Sequence, residues 1–197
     1  MRRDAARATA DRNLALEPRD TLIFDDAPVL AAAPAGAGVN AETLLLYGAL
    51  VRSAQMAGAI ESLLQQSVRY TTDRRQFGRP IASFQAIQHN LAVLAGHAAA
   101  ASIAAERAFA AADSGNLSFH VAAAKIRTGE AAGIAAGIAH QVHGAIGFTY
   151  EHSLHFATRR LWSWRAEFGG ESYWSAELGR RVTARGPDAL WPDLTAR

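Results

Sequence analysis

The sequence predicts an all-α fold: an up-and-down four-helix-type bundle with a short fifth helix, preceded by a short irregular or single-strand segment. Alanine, which has the highest helix propensity, supplies 45 of the 197 residues. Apolar residues recur at three- and four-residue steps over long stretches, and breaks rich in glycine and proline separate these stretches. Long helices with short connections are typical of helix bundles.

The first part of the chain is predicted to lie outside the bundle. Residues 1–20 are polar and rich in arginine without a clear period, which predicts a frayed helix or a tail. The short β-like run Thr21–Phe24 predicts one remnant or edge strand. Residues 31–40 have the composition of a linker. The predicted domains are 1–40 as tail and linker, 41–185 as the helical bundle and 186–197 as a second tail.

Five helices are predicted in order along the bundle. Asn40 is a suitable N-cap for the first helix, whose apolar face repeats from Leu46 to Val68. In the third helix, Gly129, Gly133 and Gly137 form a smooth face that allows another helix to approach closely. The predicted spans run from about Ala41 to a break at Gly78–Pro80, from Ala82 or Ser83 to about Ala112, from Leu117 to His140 or Val142 after a turn at Asp113–Asn116, from Glu151 to Arg165, and from Glu171 to Arg185.

Composition limits the classes of function. Half of the residues are apolar and 19% are charged, which is the balance of a globular protein. The absence of cysteine excludes disulfides, thiolate metal sites and cysteine nucleophiles. A formal net charge of +2 gives no support for binding to nucleic acid. Since no apolar run is long enough to span a bilayer and no signal-peptide core follows the first residues, we expect a cytoplasmic location and no membrane partner.

The histidines form two pairs with three-residue spacing, His140 with His143 and His152 with His155. This spacing can place two imidazoles on one helix face, but a metal site needs a third ligand and an ordered outer shell. We therefore expect polar interface histidines and no metal site. The chain also lacks a Gly-x-Ser-x-Gly elbow, a Walker loop and a Gly-x-Gly-x-x-Gly turn, so the sequence predicts neither serine catalysis nor a self-contained α/β nucleotide site.

Two segments combine residue types that suit a cofactor site. In residues 70–92, Arg74 and Arg75 end one helix, and the free amides at the start of the next helix can hold an anion. Residues 141–160 are rich in glycine, which allows the backbone to approach a ligand closely. Each segment also has a purely structural interpretation, because arginines in a last helical turn match the helix dipole and glycines form turns between helices.

Together, these two segments resemble the C-terminal helical domain of the acyl-CoA dehydrogenase family. Residues 74–81 match the family's Arg-x-x-Phe-Gly-x-Pro-Ile and are followed by Phe-Gln and Gln-x-x-Leu-Ala. Residues 141–148 match its Gln-x-x-Gly-Gly-x-Gly-Phe, with Ala145 in place of the second glycine, and an Arg-Arg pair follows. The resemblance is strong from about Leu63 to Arg181. Residues 21–29 resemble the strand that leaves the family's middle β domain.

The resemblance implies oxidation of the Cα–Cβ bond of an acyl-CoA thioester to an enoyl-CoA. In the family, FAD accepts the hydride, a carboxylate base removes the α proton, and an electron-transfer flavoprotein usually collects the electrons. Both segments reach the FAD of the neighbouring subunit, and the arginine of the first contacts its diphosphate. The resemblance implies the following cofactor-binding residues: Arg74, Gln76, Phe77, Gln85, Gln141, His143 and Gly144.

The sequence departs from the family in its missing parts and in its base. We expect the chain to lack the family's N-terminal helical domain and nearly all of its β domain. Members place the base either before Gly-Thr, where Phe168 or Gly169 stands here, or early in the first long helix, where Gly48 and Ala49 stand. Glu171 is the remaining candidate for the catalytic base, and its structural role is that of a carboxylate at the N-terminus of the last helix.

Three functions remain open. The first is a truncated acyl-CoA dehydrogenase-like subunit that contributes to an FAD site in a hetero-oligomer with a full-length relative that supplies the base, as in some actinobacterial members that degrade steroid side chains. The second is a non-catalytic scaffolding bundle that has lost FAD binding. The third is a self-sufficient flavoenzyme that uses Glu171. The expected partners are an acyl-CoA substrate in the complex, a full-length relative or a second copy of the chain, and an electron-transfer flavoprotein.

Overall fold

In the computed structural model, helices make up most of the described chain, which comprises residues 5–36, 39–112 and 116–195. The all-α prediction is therefore confirmed. The strands form two small antiparallel hairpins, β1 with β2 and β3 with β4. The elements are β1 Arg7–Thr9, β2 Thr21–Ile23, α1 Ala41–Asp73, β3 Arg75–Gln76, β4 Arg79–Pro80, α2 Gln85–Ala110, α3 Leu117–His143, α4 Leu154–Trp164, α5 Glu171–Arg185 and α6 Pro187–Thr195.

The N-cap predicted at Asn40 is confirmed and determines where α1 begins. Asn40 Oδ1 accepts hydrogen bonds from the backbone N–H groups of Glu42 at 3.0 Å and Thr43 at 3.1 Å. In return, Thr43 Oγ1 accepts a hydrogen bond from Asn40 N at 2.9 Å. This capping box satisfies donors that the first turn of a helix leaves free.

The core lies where α3 packs against the other helices of the bundle. Small side chains on α3, such as Ala131, Ala135 and Ala139, are fully buried and allow close approach. Larger side chains on α1, among them Ile60 and Leu63, fill the space opposite. Because α3 contacts α1, α2, α4 and α5, the burial of its apolar surface holds the bundle together.

Two of the three glycines on the predicted face of α3 are closely approached by side chains from elsewhere in the chain. A Cβ added at Gly129 would lie 2.5 Å from Glu171 Oε1, and one at Gly133 would lie 3.3 Å from Arg165 Nη1. At Gly137, an added Cβ would have no neighbouring heavy atom within 4 Å. The first two glycines therefore make room for the side chains that follow α4, whereas the third faces open space.

The two ends of the chain differ from the sequence prediction. Residues 7–9 form β1 rather than a frayed helix or a tail, because they pair with β2, the strand predicted at 21–24. The helix α6 replaces the loose tail predicted after Arg185, and an Arg185–Asp193 ion pair of 3.0 Å links it to α5. Of the turn predicted at Asp113–Asn116, only Asn116 is among the described residues; the other undescribed residues are 1–4, 37–38 and 196–197.

Two inner helices begin later than predicted. A 3₁₀ helix over Ile81–Ser83 precedes α2, which begins at Gln85. The helix predicted from Glu151 begins at Leu154, where the side chain of His152 accepts a hydrogen bond from Leu154 N. No helix among the described residues combines the length and the apolar character that a membrane-spanning helix requires.

A cluster of ion pairs fastens the β1–β2 hairpin to the bundle. Glu17, in the loop between the strands, accepts a hydrogen bond from Trp164 Nε1 at 3.0 Å. Burial alone would raise the pKa of this carboxyl, but its hydrogen bonds and the charge of Arg19 hold the pKa at about 2. Glu167 lies between Arg19 at 2.7 Å and Arg52 at 2.6 Å. The hairpin is thereby fixed to α1 and to the end of α4.

Two glycines of α1 provide a matched test of the packing. An added Cβ at Gly48 would overlap the Phe168 ring, whereas one at Gly58 would have no neighbouring heavy atom within 4 Å. We expect Gly48→Ala to displace the Phe168 ring and destabilise the protein by about 1–3 kcal/mol. Gly58→Ala should stabilise it by up to about 1 kcal/mol, because alanine favours helix more than glycine does. Urea unfolding measures both effects, and equal shifts of the same sign would contradict the contact between Phe168 and Gly48.

Candidate functional site

The two segments that predicted a cofactor site meet at one end of the bundle. Tyr70, in the last turn of α1, stacks on His143 at the end of α3, and their ring centroids are 4.5 Å apart. The His152 ring packs edge-on against both rings, 6.2 Å from Tyr70 and 4.8 Å from His143. Nearby, Ser153 Oγ donates a hydrogen bond of 3.2 Å to Gln66 Oε1. The end of α1 is thus held against the connection between α3 and α4.

A tight hairpin follows α1 directly. Phe77 and Gly78 connect β3 to β4 with positive φ angles of 51° and 77°, as the central residues of a type I′ turn do. Phe77 is 91% exposed at the tip, and its ring centroid lies 6.0 Å from that of Phe84. The turn therefore presents a large apolar side chain to the solvent.

Arginines without a carboxylate partner are concentrated at this end of the bundle. Within the described residues, Arg69, Arg74, Arg75 and Arg79 form no ion pair. Asp73 is the one acidic residue in the stretch from Arg69 to Arg79. Unpaired guanidinium groups favour the binding of anions, above all of phosphate and carboxylate groups.

An open groove of about 440 Å³ lies beside these arginines. It combines two guanidinium groups and one carboxylate with aromatic, imidazole, amide and hydroxyl groups. Such a lining can bind an anion together with an adjacent planar ring. The residues that line it are Gln66, Arg69, Tyr70, Asp73, Arg74, His152 and Ser153.

The structure brings the predicted cofactor residues to this end of the bundle, in different environments. Arg74 lines the groove, and His143 packs against Tyr70 and His152 in its wall. The other predicted residues are exposed on the hairpin, at the start of α2 and at the end of α3, and their roles in binding FAD stay predictions. They are Gln76, Phe77, Gln85, Gln141 and Gly144.

His143 is a buried imidazole, and one of its two nitrogens has no hydrogen-bond partner among the described residues. The side chain is 3% exposed, and Nδ1 donates a hydrogen bond of 2.7 Å to Ala139 O. Burial lowers the pKa of His143, and the hydrogen bond to Ala139 O only partly offsets this effect. The ring is therefore neutral at pH 7, and Nε2 is an acceptor that no described residue satisfies.

The other histidines of the predicted pairs contact α4 or the segment just before it. His140 Nε2 lies 3.3 Å from Thr158 Oγ1 on α4. His152 Nδ1 accepts a hydrogen bond of 3.1 Å from Leu154 N, and His155 Nδ1 donates one of 2.8 Å to His152 O. These contacts give the imidazoles structural roles at the junction of α3 and α4. In the described part of the chain, no three histidine or carboxylate side chains form a group that could hold a metal ion.

The two positions that the family pattern assigns to the base pack against each other. The Phe168 ring lies directly on Gly48, which has no side chain to hold it away. Phe168 and Gly169 both have positive φ angles, 55° and 88°, and Trp174 Nε1 donates a hydrogen bond of 3.0 Å to Phe168 O. A non-glycine residue in this conformation is strained, and such strain persists only where the surrounding structure enforces it. An apolar ring therefore fills the space beside Gly48.

Glu171, the candidate base, is held in an ion pair. Arg165 Nε donates a hydrogen bond of 2.9 Å to Glu171 Oε1, and Arg165 Nη2 lies 2.8 Å from the same oxygen in an ion pair. The carboxylate also lies on Gly129, where an added Cβ would meet it at 2.5 Å. These contacts fit the role of a carboxylate at the N-terminus of α5. Its catalytic role stays a prediction.

Lys125 is a buried charged residue that the sequence analysis did not identify. It is the one lysine of the chain, it is 1% exposed, and its Nζ donates hydrogen bonds to the carbonyl oxygens of Arg165 at 2.9 Å and Trp164 at 3.3 Å. Burial lowers the pKa of this amine from its ordinary value of 10.5 to about 8, although the charges of Glu171 and Glu167 act in the opposite direction. A single lysine within an alanine-rich helix was the signal available in the sequence.

The lowered pKa of Lys125 predicts how stability depends on pH. Between pH 8 and pH 10.5 the unfolded chain binds more protons at Lys125 than the folded chain does. The stability of the wild type relative to Lys125→Met should therefore rise with pH over this interval, by on the order of 3 kcal/mol. Denaturant unfolding of both proteins at several pH values measures this difference. Two parallel pH curves would contradict the burial of a titrating amine.

Comparison with known proteins establishes the family. A model of the acyl-CoA dehydrogenase C-terminal domain matches residues 35–174. The chain belongs to the acyl-CoA dehydrogenase family. The acyl-CoA dehydrogenase FadE34 of Mycobacterium tuberculosis is 38% identical to it over 152 residues, which cover 74% of this chain and 20% of that protein. The acyl-CoA dehydrogenase IpdE2 of the same organism is 40% identical over 113 residues, which cover 57% of this chain and 34% of that protein.

Solved structures agree with this assignment. The ChsE4–ChsE5 complex from Mycobacterium tuberculosis contains a chain that is 27% identical to this acyl-CoA dehydrogenase domain, with a TM-score of 0.85. The match covers 93% of this chain and 50% of that chain. The chain thus spans a fifth to a third of these two curated relatives and half of the solved chain.

Proposed function

We propose that this chain is an acyl-CoA dehydrogenase-like subunit that contributes to an FAD site for the α,β-dehydrogenation of an acyl-CoA thioester. It acts in a hetero-oligomer with a full-length relative, and that relative supplies the base. The observation that carries the proposal is the contrast between the two ends of α1. The end at Arg74 offers an open groove with unpaired cations, whereas the end at Gly48 is filled by Phe168.

The groove fits the diphosphate-bearing part of FAD. Arg69 and Arg74 line it without a carboxylate partner among the described residues, so both guanidinium groups are available for phosphate oxygens. The neighbouring Tyr70 gives an aromatic wall that suits a planar ring. When bound, FAD supplies the hydride acceptor. The contribution of this chain is to bind and orient the cofactor through the end of α1 and the end of α3.

The proposal assigns proton abstraction to the partner. A general base must lie within hydrogen-bond reach of the proton that it removes. Gly48 and Phe168 have no ionisable group, and Glu171 is engaged by Arg165 and packed on Gly129. The described residues of this chain therefore offer no free carboxylate at the positions where the family pattern places one.

An exposed apolar face supports the need for a partner. Leu44, Tyr47 and Val51 are exposed on one side of α1, at the three- and four-residue spacing of a single helix face. An apolar stripe of this kind is typical of a surface that another polypeptide covers. The ChsE4–ChsE5 structure is a complex of two named proteins, and its similarity to this chain supports assembly with a relative. By analogy with the family, the substrate comes from lipid or steroid catabolism, and an electron-transfer flavoprotein accepts the electrons.

The flavin absorbance spectrum tests this function. We expect a yellow complex when the chain is co-expressed with a neighbouring full-length relative, and a colourless chain when it is purified alone. In the complex, Arg74→Ala should weaken FAD binding about tenfold or more, because it removes a charge-assisted hydrogen bond to phosphate. Arg75→Ala removes the next arginine along the chain, which is exposed but does not line the groove, and should retain the flavin.

Two outcomes would overturn this assignment. If both preparations are colourless, the chain is a scaffolding bundle that has lost FAD binding. If the chain is yellow and active alone, it is a self-sufficient flavoenzyme, and Glu171→Gln would then abolish its activity.

A further inference from the structure

We propose that His152 is a further residue of the FAD site and that it binds the cofactor's diphosphate through its Nε2–H group. This inference rests on the proposed function, since it concerns the same groove. The sequence motifs assigned cofactor contacts only as far as Gly144, and the spacing of His152 indicated no more than a pair with His155. The structure places His152 in the lining of the groove, together with Arg69 and Arg74.

The hydrogen bond at Nδ1 determines which nitrogen of His152 carries the proton. Leu154 N donates to His152 Nδ1 at 3.1 Å, at the start of α4. A ring nitrogen that accepts a hydrogen bond carries no proton, so the proton of the neutral ring is on Nε2. Within the described ranges, Nε2 has no hydrogen-bond acceptor. His152 therefore has a free N–H donor for as long as it caps α4.

The groups around this donor match an anion with several oxygens. Arg69 and Arg74 supply two cationic groups in the same groove, and Asp73 supplies one carboxylate. A diphosphate has enough acceptor oxygens to bind two guanidinium groups and one imidazole N–H at once. A neutral imidazole adds a directional hydrogen bond and does not add a third positive charge beside the two arginines.

Aromatic contacts hold the His152 ring in place before a ligand binds. The ring meets Tyr70 at an interplanar angle of 88° and His143 at 67°. His143 is itself buried and fixed by its hydrogen bond to Ala139 O. A donor that is already oriented loses little conformational entropy on binding, which increases the affinity that one hydrogen bond provides.

Two substitutions separate ligand binding from helix capping. In His152→Asn, the amide oxygen can replace Nδ1 as the acceptor for Leu154 N, but no donor reaches the Nε2 position. In His152→Gln, the longer side chain carries its amide N–H toward the Nε2 position and loses the cap. If His152 only caps α4, ligand affinity should stay near the wild-type value in His152→Asn and fall in His152→Gln. If His152 binds the diphosphate, affinity should instead fall in His152→Asn and stay near the wild-type value in His152→Gln.

ADP is a suitable probe, because it contains the diphosphate and the adenosine part of FAD. We expect titration calorimetry on the chain to show that His152→Asn raises the Kd for ADP about tenfold or more, with a small change in Tm. His152→Gln should bind ADP close to the wild-type value with a lowered Tm. His155→Asn serves as a control, since His155 lies on the same segment but does not line the groove.

Three results would overturn the assignment of His152. They are a wild-type chain that binds no ADP alone or in the complex, equal ADP affinity of wild type and His152→Asn, and equal losses of affinity in His152→Asn and His152→Gln.

The failure of this inference can be distinguished from failure of the proposed function. If the complex is yellow and its affinities for FAD and ADP do not change in His152→Asn, the proposed function stands and His152 is not part of the site. If ADP binding depends on His152 but the complex stays colourless, His152 does contact a diphosphate and the proposed FAD function is wrong.

Discussion

The close packing of α3 against its neighbours is the constraint on which the other features depend. Its buried face consists largely of alanine, with Gly129 and Gly133 where side chains from the end of α4 and the start of α5 come nearest. Because α3 packs along α1, its C-terminal end brings His143 against Tyr70. Nearer its N-terminal end, Lys125 holds the last carbonyl groups of α4. One central helix thereby positions both the groove and the segment that carries Phe168.

The charges of the molecule are distributed according to this packing. Around the end of α4, Glu167 and Glu171 are each engaged by arginines, and Lys125 is bonded to backbone oxygens. A charge that is withdrawn from water needs such partners, since desolvation costs more than an isolated charge can recover. At the end of α1, by contrast, Arg69 and Arg74 remain in contact with solvent and free of carboxylates among the described residues. Charges around α4 thus serve the fold, whereas those at the groove are available to a ligand.

The sequence predicted the features that are encoded locally and missed those that depend on distant contacts. Asn40 identified the start of α1 because the capping bonds span only three residues. The strand at 7–9 was missed because it forms only by pairing with β2, and α6 was missed because Pro187, taken as a stop, stands where a helix can also begin. The motifs pointed to Arg74 in the groove lining, but nothing local indicated the buried Lys125 beside α4, whose burial arises from tertiary packing. Nor did they show how the candidate base positions pack together.

Under the proposed function, the geometry of α1 explains how one chain can keep a cofactor-binding surface while its base position lacks an ionisable group. Gly48 and the last turn of α1 are separated by about 25 residues, or roughly 37 Å of continuous helix. Substitutions at such a distance, without shared partners, act independently on stability and binding. Under the proposed function, filling the space at Gly48 with Phe168 leaves the groove at Arg74 intact. Under the same proposal, a hetero-oligomer divides the two tasks between its chains, because the proposed base position and the proposed diphosphate site lie at opposite ends of this helix.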